Sequence, residues 1–142
     1  MPIQLDIVTP ERLAYSDQVD AVVLPGTEGE MGVLPHHAPL ISTLGAGELR
    51  LRKGGAEESF AIVGGFVQVL PDKVVVMAET ADLASEIDLE KAQAARRQAE
   101  QALEGGYVEG ADLATARAAL QTALLRIRVA ERRRREGPRQ RT

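Results

Sequence analysis

The sequence changes character near residue 83, and this change constrains the fold more than any other feature. The first part is rich in glycine, proline and β-branched residues, and it contains alternating runs such as Ile3-Gln4-Leu5-Asp6-Ile7-Val8. Turn signals such as Pro25-Gly26 and Gly54-Gly55 separate these runs at intervals of roughly 8–12 residues, a spacing typical of a β-sandwich or barrel. We therefore predict an all-β domain over residues 1–83, with a hairpin turn at Gly54-Gly55 and with separate strands over Glu58–Val63 and Phe66–Leu70.

The second part is rich in alanine and predicts two helices. Ser85 or Asp88 is suited to cap a first helix, and a second helix reaches the run Arg132–Arg135. Apolar residues recur by three- and four-residue steps, at Leu89, Ala92, Ala95, Ala99 and Ala102 in the first helix and at Leu113, Ala116, Leu120, Leu124 and Ile127 in the second. We predict an antiparallel helical hairpin over residues 84–136 and a basic tail over 137–142. Because these stripes have little apolar bulk, we expect the hairpin to be weakly stable alone and able to detach.

The net charge of −4 is unevenly distributed. Residues 1–82 carry 12 acidic and 5 basic side chains, and residues 83–125 carry 7 acidic and 4 basic. Residues 126–142 carry eight arginines against two acidic side chains. A basic end on an acidic protein indicates an acidic partner surface or a polyanion. Nucleic acid is disfavoured as the partner, because most of the protein would repel it.

Composition and motifs exclude several classes of protein. The chain has no cysteine, and it has neither a phosphate-binding loop nor a nucleophile elbow. The adjacent pair His36-His37 is a poor metal site, because neighbouring side chains diverge and no third ligand lies at a suitable spacing. Neither a signal peptide nor an apolar span is apparent, so we expect a cytoplasmic protein. We therefore expect that the protein is not an enzyme and that it holds neither a metal nor a resident cofactor.

The residues that carry a family resemblance lie along most of the chain. They are Val8-Thr9-Pro10, Leu24-Pro25-Gly26, Gly29-Glu30-Met31-Gly32-Val33-Leu34-Pro35, His37-Ala38-Pro39-Leu40, Val63-Gly64-Gly65-Phe66-Val67-Gln68-Val69, Ala78-Glu79-Thr80-Ala81, and Ile87-Asp88 with Lys91-Ala92. Each motif alone is weak, but the combination is highly specific. The chain resembles the epsilon subunits of the bacterial-type rotary ATP synthase, called delta in mitochondria.

The resemblance implies an α+β fold, with an all-β sandwich of about ten strands followed by an antiparallel two-helix hairpin. It also implies a non-catalytic subunit in the central stalk of a proton-translocating ATP synthase, on the cytoplasmic face of the cell membrane. The sandwich is then expected to bind the gamma subunit and to sit on the c-ring. Glu30, Met31, Gly32 and His37 are the expected contacts with the c-ring.

The resemblance gives the hairpin a regulatory role. In the extended state it is expected to insert among the alpha and beta subunits and to block ATP hydrolysis. The arginines expected to contact the beta subunit are Arg126, Arg128, Arg132, Arg133, Arg134 and Arg135. A small β-sandwich adaptor that binds an acidic partner or polyanion through the Arg-rich tail is the alternative.

Some members of this family bind ATP on the folded hairpin as a regulatory ligand. The corresponding residues here are Ile87, Asp88, Lys91, Ala92 and Arg126. Lys91 stands where arginine is usual, and lysine meets a phosphate without the bidentate fork of arginine. We therefore expect ATP binding to be weak or absent.

Overall fold

The computed structural model describes residues 2–105 and 111–136, and for residues 111 and 134–136 it describes the backbone alone. Its strands are β1 (Ile3–Val8), β2 (Leu13–Val19), β3 (Ala21–Gly26), β4 (Gly29–Val33), β5 (Leu40–Leu44), β6 (Gly47–Lys53), β7 (Ala56–Val69) and β8 (Lys73–Leu83). A short 3-10 helix (Ala84–Glu86) leads to α1 (Leu89–Glu104) and α2 (Ala111–Glu136). The predicted order of an all-β domain followed by two helices is confirmed.

The strands form two sheets because β7 and β8 each contribute to both. One sheet contains β5, the second half of β7, the first half of β8, β1 and β2. The other contains β4, β3, β6, the first half of β7 and the second half of β8. We call them the first and the second sheet. The eight described strands therefore supply the ten or so strand segments expected of the sandwich.

The transition between the two sheets depends on Gly64 and Gly65, in the middle of β7. Both have positive φ, at 62° and 121° respectively. A Cβ added to Gly65 would lie 1.9 Å from the carbonyl oxygen of Met77 on the neighbouring strand. No other residue fits at that position without moving the backbone of β8. The glycine pair therefore fixes the place where β7 leaves one sheet and enters the other.

The core lies between the two sheets and consists of aliphatic side chains with one aromatic ring. Its most completely buried members are Phe60, Ile3, Leu5, Ile7, Leu24, Leu49, Leu51, Ile62, Val19, Val22, Val33 and Val67. In β1 the buried residues alternate with partly exposed ones, as expected of a strand with one buried face. The ring of Tyr15 packs edge-on against Phe60, with the ring centroids 5.6 Å apart.

The predicted hairpin at Gly54-Gly55 is confirmed. Lys53 pairs with Ala56 across a two-residue loop, and both glycines have positive φ. This conformation is the tight turn that suits the twist of two antiparallel strands. β2 and β5 are not predicted from the sequence, and β7 is a single strand where two were predicted.

Asp88 caps α1, and its carboxylate accepts a hydrogen bond from the backbone N–H of Lys91 at 3.1 Å. The buried stripe on α1 is smaller than predicted, because only Ala92 and Ala99 of the five apolar residues predicted for it are buried. On α2 the burial is concentrated toward the C-terminal half, in Ala123, Leu125, Ile127, Val129 and Ala130. The predicted stripe member Leu124 is 44% exposed. The difference arises because α2 packs against two neighbours, α1 and the sandwich.

Candidate functional site

The helical hairpin lies folded against the outer face of the second sheet. Leu125 and Val129 of α2 pack against Ala61 of β7 and Ala84 of the 3-10 helix, and all four are buried. Val63 and Ile87 border this cluster. The cluster is separate from the core of the sandwich. A fully buried Leu or Val side chain contributes roughly 1.5–3 kcal/mol, from which the cost of ordering the hairpin must be subtracted.

Two arginines of α2 flank this apolar cluster and pair with acidic side chains of the sandwich. Arg126 Nε lies 2.9 Å from Asp82 Oδ2 at the end of β8. Arg132 donates to Glu48 Oε2 from Nε at 2.9 Å and from Nη2 at 2.6 Å. Its Nη2 also donates to Ser59 Oγ at 2.8 Å. The docked face of α2 is therefore an apolar centre between two ion pairs.

The six arginines expected to contact the beta subunit are divided by this arrangement. Arg126 and Arg132 face the sandwich, whereas Arg128 is exposed beside Ala46 and Leu124. Arg133 is partly exposed. The side chains of residues 134 and 135, and the whole of the basic tail 137–142, lie outside the described residues.

The expected nucleotide residues lie around the junction between the sandwich and the hairpin, but several are already engaged. Asp88 serves as the helix cap, and Arg126 is paired with Asp82. Ile87 packs against the buried cluster, and Ala92 is buried in the hairpin. The Lys91 side chain is exposed.

The outer face of the first sheet carries an apolar surface that was not predicted from the sequence. Phe66 of β7 lies directly opposite Met77 of β8, and these side chains are 53% and 46% exposed. Met77 in turn pairs with Val8 of β1, and Val8 pairs with Leu13 of β2, which is 58% exposed. We call Leu13, Val8, Met77 and Phe66, together with Ile41, the apolar face.

Ile41 extends the apolar face onto β5. It is 71% exposed and lies two residues from Thr43, which pairs with Phe66. Residues two apart on a strand point to the same side of a sheet. A group of exposed large apolar side chains on one face of a sheet favours an interaction site. The sequence carried one signal of this surface: in β7 and β8, large apolar residues occupy outward-facing as well as inward-facing positions.

The first three residues expected to contact the c-ring are consecutive on β4. Glu30 is largely exposed and its Oε2 pairs with Arg50 at 3.1 Å. Met31 is partly buried and packs against the core, while a Cβ added to Gly32 would meet open space. Glu30 and Met31 also line a shallow cleft of about 460 Å³ that reaches Ile41 on β5.

The turn before Glu30 leads into the start of β4, whereas His37 follows the end of that strand. Its Nδ1 is 2.7 Å from the carbonyl oxygen of Ala38. The preceding His36 has a φ of 66°, in the left-handed region that favours glycine, and its N–H donates to the Pro71 carbonyl at 2.7 Å. The structure thus ties the two-histidine loop to the turn between β7 and β8, and it separates His37 from Glu30.

Residues 2–105 and 111–136 contain neither a metal-binding cluster nor a membrane-spanning helix. Within these residues no three side chains of His, Cys, Asp or Glu are grouped as they would be around a metal ion. No described helix has the length and apolar character needed to cross a membrane.

The fold and the docked hairpin define a class of protein: a two-sheet β-sandwich that carries a helical hairpin on one outer face and an open apolar surface on the other. Two family models match this architecture. The model described as ATP synthase, delta/epsilon chain, beta-sandwich domain matches residues 2–84, and the model of the long alpha-helix domain of the same chain matches residues 85–131. The chain belongs to the ATP synthase delta/epsilon family.

Curated relatives agree with the family models over nearly the full length. The ATP synthase epsilon chain of Dehalococcoides mccartyi is 49% identical over 132 residues, which are 93% of this chain and 94% of the relative. The epsilon chain of Herpetosiphon aurantiacus is 48% identical over 134 residues, covering 94% of this chain and 98% of the relative.

A solved structure has the same fold. It is a chain in the cryo-EM structure of the Euglena gracilis mitochondrial ATP synthase that contains OSCP, F1 and the c-ring. The TM-score is 0.74 at 27% identity, and the match covers 87% of this chain and 78% of that chain.

Proposed function

We propose that this chain is the non-catalytic central-stalk subunit of a proton-translocating rotary ATP synthase, where it couples gamma to the c-ring and restrains ATP hydrolysis through its helices. The observation that carries the proposal is the arrangement of three distinct surfaces on one small domain. The apolar face, the β4 edge and the docked hairpin are each suited to a different neighbour. Membership of the family and the fold shared with the Euglena chain support this assignment.

The gamma subunit is the proposed occupant of the apolar face. Phe66, Met77 and Leu13 are each about half exposed, yet they lie in one row across neighbouring strands. Burying such large side chains supplies the apolar centre of a stable protein interface. A rotating stalk needs a permanent contact of this kind, because torque must pass through it without slippage.

The c-ring is the proposed neighbour of β4 and its adjoining loops. Glu30 provides an exposed charge, Gly32 allows close approach, and Met31 adds apolar contact beside the cleft. His37 is proposed as a further contact from the loop that follows β4. This position makes the protein peripheral to the membrane, at the cytoplasmic face of the cell membrane, through the complex that holds it.

The hairpin is proposed to inhibit hydrolysis when it leaves the sandwich and reaches the alpha and beta subunits. Its docked contact is small and partly polar, which permits release at moderate cost. Release exposes Arg126 and Arg132, which then join Arg128, Arg133, Arg134 and Arg135 as a basic helix end. Acidic surface on the beta subunit is the complementary partner.

Regulatory ATP is proposed to bind weakly or not at all. The folded hairpin already uses Asp88 as a cap and pairs Arg126 with Asp82, so both groups would have to exchange partners. Lys91 offers a single ammonium group in place of a bidentate guanidinium.

The test is ATP hydrolysis by the cognate alpha, beta and gamma subunits reconstituted with this chain. The full chain should lower the hydrolysis rate, and a chain ending at residue 84 should bind gamma and leave the rate high. Gamma binding by the shortened chain is the control for its folding. If the shortened chain inhibits as strongly as the full chain, the inhibitory role of the helices is wrong.

A further inference from the structure

The end of α2 is held to the sandwich by a compact polar cluster around Arg132. Its guanidinium meets Glu48 Oε2 twice and Ser59 Oγ once, with all three distances between 2.6 and 2.9 Å. Glu57 Oε1 lies 3.8 Å from Nη2 and adds a second carboxylate. Ser59 and Glu48 lie 73 and 84 positions before Arg132 in the sequence, and both contact its side chain.

This cluster is more enclosed than the other ion pairs of the described residues. The side chains of Arg132 and Glu48 are 24% and 17% exposed, whereas those of Arg126 and Asp82 are each 35% exposed. Ser59 is buried, at 5% exposure. Exposed pairs contribute little because solvent screens them, and enclosed charged hydrogen bonds contribute more.

Loss of the guanidinium would have a specific electrostatic consequence. Glu48 Oε2 would lose its two hydrogen bonds from the guanidinium, and the buried Ser59 oxygen would lose the N–H that donates to it. Leaving such groups unpaired costs more than the net value of the original bonds. The apolar contact beside them buries two side chains of α2, Leu125 and Val129.

We propose that Arg132 is a latch that holds the hairpin in its folded state, with Glu48 and Ser59 as its receptor on the sandwich. The inference concerns the regulation of the function proposed above and rests on it for its physiological meaning. Release requires that the guanidinium exchange Glu48 and Ser59 for water or for carboxylates of another protein. The latch thus competes directly with the acidic partner surface for the same side chain.

The position of Arg132 in α2 determines where release of the hairpin begins. Arg132 lies near the C-terminal end of α2, one to two turns beyond the apolar pair Leu125 and Val129. When the latch opens, those two side chains and Arg126 still hold the helix. Release is therefore expected to begin at this end and to proceed toward the turn between the helices.

The latch is tested on the isolated full-length chain, without any other subunit. Because the chain has no cysteine, Asp72→Cys and Gln121→Cys provide two unique sites for spin labels on exposed residues of the sandwich and of α2. Pulsed EPR distances, recorded over a urea series, give the ratio of undocked to docked hairpin. Near-UV and far-UV circular dichroism report whether the sandwich and the helices stay folded.

In this background Arg132→Gln should raise the undocked-to-docked ratio at least about tenfold, the effect of losing charged hydrogen bonds. Glu48→Gln should have a similar effect, and the double variant should add little to either single change. Arg117→Gln, which removes the same charge from an exposed position on α2, should leave the ratio unchanged. Raising the salt concentration should favour undocking in the parent chain more than in Arg132→Gln.

The proposal is overturned if Arg132→Gln and the parent chain undock at the same urea concentration, or if both stay docked until the sandwich unfolds. It is also overturned if the effects of Arg132→Gln and Glu48→Gln simply add. None of these outcomes depends on ATP hydrolysis, so a failure of the latch is distinguishable from a failure of the inhibitory function. In the assembled enzyme, Glu48→Gln leaves Arg132 available and should deepen inhibition.

Discussion

Arg126 on α2 donates a hydrogen bond from Nε to Asp82 Oδ2 at 2.9 Å, and this bond joins the second helix to the last strand of the sandwich. The same arginine is the strongest candidate for a nucleotide contact in the sequence. Its pairing with Asp82 means that a phosphate would have to displace a carboxylate. The geometry therefore connects two questions, the state of the hairpin and its response to ATP.

Isothermal titration of the isolated chain with ATP should show no saturable binding below roughly 1 mM, an affinity of about 4 kcal/mol. The double variant Lys91→Arg with Asp82→Asn should gain affinity, because it supplies a bidentate group and frees Arg126. Lys91→Arg alone is the matched control and should gain less. Micromolar binding by the parent chain would show that the pairing with Asp82 does not prevent Arg126 from binding ATP.

Phe66→Glu or Met77→Glu should weaken gamma binding at least about tenfold, because a charge would be buried at the centre of the proposed interface. Surface plasmon resonance with immobilised gamma measures the change. Leu124→Glu introduces the same charge at an exposed apolar residue on α2 and should have little effect. Equal weakening by all three variants would remove the apolar face from the proposed interface.

Gly65→Ala should destabilise the sandwich by about 3 kcal/mol, or prevent it from folding, since the new Cβ would collide with the backbone of β8. Urea denaturation followed by circular dichroism gives the free energy of unfolding. Gly55→Ala is the control, because its φ is also positive at 85° but open space surrounds the added Cβ. That variant should lose only about 1 kcal/mol. Similar losses for both would mean that β7 does not need its bend at Gly65.

Tyr15 provides a prediction about alkaline pH. Burial, with smaller contributions from Asp17 and Glu58, raises the pKa of the Tyr15 phenol to about 12. Because the folded state holds this proton more firmly than the unfolded chain, the associated stability is complete below the ordinary value near pH 10 and is lost as the pH rises toward 12. In a Tyr107→Phe background, absorbance at 295 nm should report the late ionisation. Ionisation near pH 10 in the folded protein would contradict it.

The sequence predicted the order of the fold well because local chemistry determines much of it. β1 alternates apolar and polar residues, Gly54-Gly55 forms the turn between β6 and β7, and Asp88 caps α1. Each of these signals acts over a few residues. β2 was missed because its exposed and buried residues do not alternate cleanly in Leu13–Val19. β7 was divided because Gly64-Gly65 resembles a turn, whereas the neighbouring strands hold it as a bend within one strand.

The docking of the hairpin could not be predicted in the same way. A single predicted stripe on α2 took no account of a second partner, so it included Leu124 and omitted Leu125 and Val129. The contact between Arg132 and Glu48 joins residues 84 positions apart, and nothing local to either indicates the other. The apolar face was hidden for a similar reason, since Phe66, Met77 and Leu13 become neighbours only through strand pairing.

The most direct test of the account is ATP hydrolysis by the reconstituted enzyme with the hairpin held down and then released. Ala46→Cys and Gln121→Cys line one cleft between the sandwich and α2, lie outside the proposed contacts with the beta subunit and, in a chain that has no other cysteine, can be joined by a short reversible bis-thiosulfonate linker. With the linker in place, the hydrolysis rate should equal the rate obtained with the chain ending at residue 84, and reduction of the linker should restore inhibition. Equal inhibition before and after reduction would contradict the claim that the released hairpin is the inhibitory element.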